Sequence, residues 1–124
     1  MTEHKNLKIG IVGSRRWKNQ DAVEELVNTL PLDCTIISGG CRGVDTWAVE
    51  TAKERGIEVA EYLPDLPLSG SPPWEFTKAY YARNRQIAEN IDILYAFVTE
   101  DRRGGTENTI KHAMKLGVRV EVIF

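Results

Sequence analysis

Five short apolar segments alternate with four stretches of helical periodicity along this 124-residue chain. In the first stretch, Val23, Leu26, Val27 and Leu30 recur at the spacing that lines one face of a helix. Glycine, proline or polar residues bound the apolar segments, which read LKIGIV, CTII, IEVAEYL, DILYAFV and VRVEVIF. Strands that alternate with amphipathic helices predict an α/β fold whose parallel sheet is covered on both faces.

Right-handed crossovers narrow this fold class to a few topologies. We predict a single Rossmann-like domain over residues 1–124, with a five-stranded parallel sheet in the order 3-2-1-4-5 and helices on both faces. In the last helix, we expect Ile110, Ala113, Met114 and Gly117 to face the sheet. Ligands bind such sheets outside the carboxyl ends of the strands, which here means between strands one and four.

Charge and cysteine content exclude several classes of protein. The net charge is −2, with no long run of either sign, so we expect no membrane partner, and the overall charge gives no case for a nucleic-acid partner. The polar start of the chain resembles no signal peptide, and no apolar run could span a bilayer, which predicts a cytoplasmic protein. We expect Cys34 and Cys41 to be reduced thiols, with a disulfide between them as the alternative. Their surroundings predict neither a metal site nor a bound cofactor.

Arginines and glycines collect where the predicted strands end. Three features in one crevice indicate a phosphorylated ligand: arginine forks, glycines that expose the backbone, and helix N-termini. The four segments concerned read GSRR, SGGCRG, ARNR and EDRRGGT. They hold seven of the nine arginines, namely Arg15, Arg16, Arg42, Arg83, Arg85, Arg102 and Arg103.

Some of these residues have two readings. Arg83 falls on the same helical line as Phe76, Tyr80 and Ile87, and for this cation on an apolar stripe we favour a ligand role over snorkelling to the surface. For Asp45 we favour capping of the second helix over a catalytic role. Trp74, which follows the loop PDLPLSGSPP, either anchors that loop or stacks on a base. We expect this loop to border the site.

Four motifs together resemble the SLOG superfamily, whose members include the Rossmann domain of the DNA-processing protein DprA and the LOG phosphoribohydrolases. The motifs read GSRRW, SGGCRGVDTWAVETAKERGI, ARNRQIAENID and GGTENTIKHAMKLGVRV. They keep the family's order over almost the whole chain and are most similar to the small branch related to YspA and YpsA.

The resemblance implies a nucleotide or nucleotide-derived ligand. In LOG enzymes an arginine and a glutamate carry the hydrolysis. The arginine corresponds to Arg83, and the glutamate position holds Asn108, with Glu107 one residue earlier. Motif and composition together predict the ligand-binding residues Gly13, Ser14, Arg15, Ser38, Gly39, Gly40, Arg42, Gly43, Asp45, Arg83, Asn84, Arg103, Gly104, Gly105 and Thr106.

Three functions follow from this reading. The first is a module that senses, carries or sequesters a phosphorylated nucleotide derivative. The second is a hydrolase that cleaves the N-glycosidic bond of a nucleoside monophosphate, with Arg83 and either Glu107 or Asp45 as the catalytic groups. The third is DprA-like binding of single-stranded DNA, which the clustering of basic residues in one crevice disfavours. A homodimer is also compatible with the sequence, without an identifiable interface.

Overall fold

The computed structural model describes residues 6–124. The polar residues at the start of the chain, on which the signal-peptide prediction rests, lie outside the described part. Strands and helices alternate as predicted. They are β1 (Lys8–Gly13), α1 (Gln20–Thr29), β2 (Thr35–Ser38), α2 (Val44–Glu54), β3 (Glu58–Glu61), α3 (Pro73–Glu89), β4 (Ile93–Phe97), α4 (Gly105–Lys115) and β5 (Arg119–Ile123).

The five strands form one parallel sheet in the order β3-β2-β1-β4-β5, which confirms the predicted topology. In the register of the central pair, Ile9 lies opposite Ile93 and Gly13 opposite Phe97. The chain reverses its direction of winding between β1 and β4, so the loops after these two strands diverge and leave a crevice between them.

Each face of the sheet is covered by two helices. One layer of the core joins α1 and α2 to the sheet, with Val23, Val27 and Ala48 fully buried. The other joins α3 and α4 to the opposite face, through residues such as Ile87 and Ala113. For α1, the amphipathic pattern of the sequence therefore predicted which face is buried.

The last helix departs from the predicted stripe. Ile110 and Ala113 are buried as expected, whereas the Met114 side chain is 67% exposed. Thr106 and Thr109 take the remaining inward positions. Gly117 lies after the helix and adopts a φ of 74°, so it ends α4 in the left-handed conformation instead of packing on the sheet. Apolar periodicity misassigned Met114 because threonine, which can satisfy its hydroxyl within the helix, replaces apolar residues on the buried face.

None of the helices between residues 6 and 124 combines the length and the hydropathy needed to cross a membrane. Cys34 and Cys41 are both free thiols; the first is buried and the second is half-buried.

Candidate functional site

A cavity of about 750 Å³ opens at the carboxyl ends of β1 and β4, at the predicted switch point. This volume falls in the range of small-molecule sites. The loops after β1, β2 and β4 form part of its wall, and helix α3 and the start of α4 form the rest. The crevice predicted from the topology is therefore present.

Arg83 is the most deeply buried cation of the cavity, with 7% of its surface exposed. Its Nη1 donates to the carbonyl of Gly39 at 2.5 Å, its Nη2 lies 3.6 Å from Cys41 Sγ, and the guanidinium carbon is 5.8 Å from the centre of the Tyr80 ring. Within residues 6–124, Arg83 forms no ion pair with a carboxylate. The hydrogen-bond partners of this guanidinium are all uncharged, and Asp45 interacts with it only without direct contact, so the buried charge is incompletely compensated.

Asn84 joins Arg83 to helix α4. Its Oδ1 accepts from Arg83 Nε at 3.0 Å, and its Nδ2 donates to Gly105 O at 3.3 Å and to Asn108 Oδ1 at 3.1 Å. The side chain of Asn108 is thus an amide that pairs with another amide. Through these bonds, Asn84 orients the Arg83 side chain and positions the beginning of α4.

The N-terminus of α4 opens into the cavity without a side-chain cap. Gly104 precedes the helix with a φ of 91°, and no side chain of the described residues bonds to the first-turn amides. Gly104, Gly105 and Thr106 line the cavity. A helix start has free N–H groups and a partial positive charge, both of which favour an anion.

Asp45 lies in the first turn of α2 and also lines the cavity. The prediction that it caps this helix is wrong. Its Oδ2 accepts from the amides of Gly39 at 3.2 Å and of Cys41 at 3.1 Å, which belong to the preceding loop. Gly43 occupies the cap position of α2, with a φ of 84° and no side-chain hydrogen bond. Burial raises the pKa of Asp45 to about 6, against the opposing effects of the Cys41 amide and of nearby Arg83.

In the loop between β2 and α2, backbone amides donate hydrogen bonds to side chains of the protein itself. Besides the two that bond to Asp45, the Gly40 amide donates to Ser38 Oγ at 3.1 Å. These N–H groups are therefore already engaged and do not form the backbone cradle that the glycines suggested. Gly39 serves a steric purpose instead, since a Cβ there would lie 2.7 Å from Arg83 Nη1.

At the end of β1, too, the glycine is required by packing and the polar groups bond within the protein. A Cβ at Gly13 would overlap the side chain of Val44, so this glycine is required by the packing of α2 against the sheet. The Ser14 amide donates to Phe97 O at 2.9 Å, and Ser14 Oγ accepts from the Arg16 amide at 3.1 Å. Ser14 Oγ also lies 3.3 Å from Thr99 Oγ1, so the amide and the hydroxyl of Ser14 are both engaged within the protein.

Eleven of the fifteen predicted ligand-binding residues line the cavity. These are Gly13, Ser14, Arg15, Gly39, Asp45, Arg83, Asn84, Arg103, Gly104, Gly105 and Thr106. The other four, Ser38, Gly40, Arg42 and Gly43, belong to the β2–α2 loop but do not line it. Ser38 is fully buried beneath the loop, and Arg42 is exposed.

Glu107 also lies outside the cavity lining. Its carboxylate accepts from Arg102 Nε at 2.6 Å and from Arg102 Nη2 at 3.1 Å, a two-point ion pair. This pair raises the pKa of Arg102. Of the two carboxylates considered for catalysis, Asp45 is therefore the one at the cavity.

Sequence reasoning missed several lining residues. Tyr80 was assigned to the core stripe of α3, and Thr77, Tyr81, Cys41 and Asp101 were not considered as site residues, yet all five line the cavity. Tyr80 and Tyr81 immediately precede the ARNR motif, and this proximity could have indicated that both residues belong to the site.

A second cavity of about 520 Å³ lies on the other side of Arg83. The loop between β3 and α3 lines it through Leu63, Leu66 and neighbouring prolines, together with Trp74, which is 62% exposed. The predicted loop therefore borders this second cavity and does not line the first. Arg83 is the residue that the two linings share.

A parallel sheet with this strand order, with a cavity where the winding reverses, defines a Rossmann-like α/β protein. Residues 7–68, half of the chain, match the family described as YAcAr, the YspA, cpYpsA-related SLOG family, and the chain belongs to it. The resemblance to the SLOG superfamily inferred from the sequence is thereby confirmed.

Two solved structures are similar to this fold. The X-ray structure of DNA processing protein A (DprA) from Streptococcus pneumoniae superposes with a TM-score of 0.77 at 23% identity, over 94% of this chain and 50% of that one. The chain thus spans half the length of that DprA chain. The C-terminal domain of the PF1911 hydrogenase from Pyrococcus furiosus gives a TM-score of 0.53 at 13% identity, over 100% and 96% of the two chains. At such identities the likeness concerns the fold. No curated protein matches the sequence.

Proposed function

We propose that residues 1–124 act as one unit that binds a phosphorylated nucleotide derivative in the cavity between β1 and β4, with a phosphate group at Arg83 and the start of α4. The observation that carries this proposal is the buried Arg83 guanidinium, which forms no ion pair within residues 6–124. A ligand anion would pair directly with this cation and would also accept from the uncapped amides of α4.

The remaining lining suits the rest of such a ligand. Tyr80 and Tyr81 provide aromatic rings against which a base could stack, and Asp45 provides a carboxylate that could accept from a ribose hydroxyl. Arg15 and Arg103 are exposed at the cavity and would pair with further phosphate oxygens. Membership of a SLOG family supports a nucleotide-related ligand, because the superfamily includes enzymes that act on nucleoside monophosphates.

Titration calorimetry with nucleoside 5′-monophosphates and diphosphates, and with the matching nucleosides, tests this function. We expect the phosphorylated compounds to bind at least about tenfold more tightly, because a charge-assisted hydrogen bond contributes about 1.5–3 kcal/mol. Equal affinity of a nucleoside and its phosphates would contradict an anion site.

Matched arginine variants locate the phosphate. Arg103→Met removes an exposed cation of the cavity lining, whereas Arg102→Met removes its neighbour, which pairs with Glu107 outside the lining. We expect the first variant to weaken phosphate binding by roughly tenfold or more, and the second to leave it unchanged. Arg83→Met and Arg85→Met form a second matched set on one helix, since Arg85 is exposed and pairs with Glu89.

Hydrolysis of an N-glycosidic bond is the second candidate, and one observation favours it. Asp45 is buried at the cavity with its pKa raised to about 6, as is typical of a carboxylate that exchanges protons near neutral pH. Release of free base from nucleoside monophosphates would reveal this activity. Asp45→Asn should abolish the release if Asp45 carries it, whereas loss of release in Glu107→Gln with Asp45→Asn still active would assign the role to Glu107.

Binding of single-stranded DNA is the third function that the sequence left open. Oligonucleotide titrations at two salt concentrations separate it from nucleotide binding, because contacts to many phosphates make affinity strongly dependent on salt. Tight and salt-sensitive oligonucleotide binding, without binding of mononucleotides, would favour DNA as the ligand.

A further inference from the structure

The outer edge of β5 has unpaired backbone groups. In the sheet of residues 6–124, β5 pairs with β4 and lies at the end of the strand order. Ile123 O accepts from the Val98 amide at 2.8 Å, so Ile123 directs its backbone towards β4. Alternate residues of a strand direct their amides and carbonyls to opposite sides, which means that Val120 and Val122 present theirs outward. Such a row is a template for pairing with another strand.

The charges of β5 are complementary to a second copy of the same strand. Arg119 and Glu121 are both well exposed, at 70% and 45% of their side chains. An antiparallel pair of β5 strands centred on Arg119 or on Glu121 would place like charges opposite each other. A pair centred on Val120 places each Arg119 opposite the Glu121 of the other copy, and each Val118 opposite a Val122. Only this centre within β5 creates two pairs of opposite charges.

The opposite edge of the sheet lacks this property. Strand β3 carries Glu58 and Glu61 and no basic residue, so no register of two antiparallel β3 strands brings opposite charges together. Self-pairing at that edge gains nothing from electrostatics and is disfavoured where glutamates approach each other. The two edges of one sheet therefore differ in their capacity to pair with a second copy.

Two exposed apolar side chains flank the β5 edge. Met114 and Glu107 are seven residues apart and lie on one side of α4, whereas Asn108 marks the side that faces α3. Met114, 67% exposed, is thereby directed away from α3 and towards the outer edge of the sheet. Phe124 follows β5 directly and is 78% exposed. Burial of both side chains against another molecule would remove apolar surface from water.

We propose that the β5 edge is a homodimer interface, in which the β5 strands of two copies pair antiparallel about a two-fold axis at Val120. The two sheets then form one continuous sheet, held by main-chain hydrogen bonds, two Arg119–Glu121 pairs between copies, and contacts of Met114 with the second copy. None of these residues lines the first cavity, so the interface is independent of the proposed ligand function.

Charge variants test this interface by analytical ultracentrifugation over a range of protein concentrations. We expect the unaltered protein to be a dimer that dissociates on dilution. Arg119→Glu and Glu121→Arg should each raise the dimer dissociation constant on the order of tenfold to a hundredfold, because each replaces two attractive cross-strand pairs by two repulsive ones. The exposed α2 variant Glu54→Lys, with an equally large change in charge, should keep the dimer.

Mixing the two variants separates contacts between copies from the Arg119–Glu121 contact within one strand, which spans 3.6 Å. An equimolar mixture of Arg119→Glu and Glu121→Arg protein restores opposite charges at both positions of a mixed pair, so we expect heterodimers where neither variant dimerises alone. A monomeric unaltered protein, single variants that dimerise as well as the unaltered protein, or a mixture that stays monomeric would each overturn the proposal. Circular dichroism of each variant confirms that it is folded.

Discussion

At the scale of single residues, the glycines of the site serve three different purposes. Gly13 makes room for Val44, Gly39 makes room for Arg83, and Gly104 adopts a φ of 91° that other residues rarely tolerate. Gly105 has none of these requirements, since a Cβ there would meet Asn84 Nδ2 at an ordinary contact distance of 3.6 Å. A glycine without a structural requirement beside an uncapped helix start fits a close approach of a ligand.

The pair Gly104→Ala and Gly105→Ala separates backbone strain from ligand approach. Gly104→Ala should lower the free energy of unfolding by about 1 kcal/mol or more, because a side chain is strained at positive φ. Gly105→Ala should leave it unchanged or raise it by up to about 1 kcal/mol, yet weaken nucleotide binding by crowding the α4 amides. Urea unfolding and calorimetry measure the two effects. Unchanged nucleotide affinity in Gly105→Ala would argue against close backbone contact.

Asp45 should make stability depend on pH. Its folded pKa of about 6 exceeds the ordinary value of 3.8 for this carboxyl group, so between these values the folded protein holds a proton that the unfolded chain has released. The free energy of unfolding should therefore fall as pH rises from about 4 to about 6, and the loss is complete above that range. In Asp45→Asn this contribution is absent, while the amide oxygen can still accept from Gly39 and Cys41.

Denaturant unfolding at pH 4 and pH 7 measures this effect. The unaltered protein should lose on the order of 2–3 kcal/mol of its free energy of unfolding between pH 4 and pH 7, and Asp45→Asn should not show this loss. Parallel pH profiles of the two proteins would show that burial does not shift this carboxyl group.

At the scale of helices and strands, hydrogen bonds from a side chain at the end of one helix stabilise the end of another. Arg55 follows α2, and its Nη1 donates to the carbonyls of Val27 at 2.6 Å and Leu30 at 2.8 Å, at the end of α1. Arg55 lies at the far end of α2 from Asp45, and does not line the cavity. The sequence analysis assigned no role to Arg55; in the structure it donates to carbonyls at the C-terminus of α1.

Arg55→Met should lower the free energy of unfolding by about 1.5–3 kcal/mol, because two carbonyls lose a charged donor. Nucleotide affinity should stay unchanged, since the cavity is formed at the opposite ends of the strands. Lys53→Met, two residues earlier and exposed, is the control for loss of a cation near the same helix end. A stability of Arg55→Met equal to that of the control would show that these hydrogen bonds contribute nothing net.

At the scale of the whole molecule, ligand binding and folding are linked. The cavity is formed by residues from both ends of the chain, from Val12 to Thr109, so it exists only in the folded protein. A ligand of the folded state stabilises it by mass action, about 2.7 kcal/mol at a ligand concentration one hundred times the dissociation constant.

A nucleotide that binds the cavity should accordingly raise the melting temperature, and the unphosphorylated nucleoside should raise it less. Arg103→Met should reduce the rise produced by the phosphorylated compound, whereas Arg102→Met should not. Thermal unfolding monitored by circular dichroism at constant protein concentration measures these shifts, because a dimer also makes stability depend on concentration. Equal shifts in the two variants would remove Arg103 from the ligand site.

The sequence by itself determined the architecture. Apolar segments too short for helices, separated by amphipathic stretches such as Val23 to Leu30, are compatible with few arrangements other than a parallel sheet between helices. Because periodicity reports which face of an element is buried, and because crossovers have one hand, the strand order followed as well. The same topology located the cavity at the switch point, and the arginine- and glycine-rich motifs contained eleven of the residues that line it.

The tertiary structure alone decided what each residue does there. Arg83 bonds to Gly39, 44 residues away in sequence, and Asp45 bonds to loop amides instead of capping α2. Met114 lies outside the core because threonines take the inward positions of α4. Periodicity averages burial along one element, whereas hydrogen bonds and ion pairs depend on distances of a few ångströms between elements. Those distances are set only when the helices pack on the sheet.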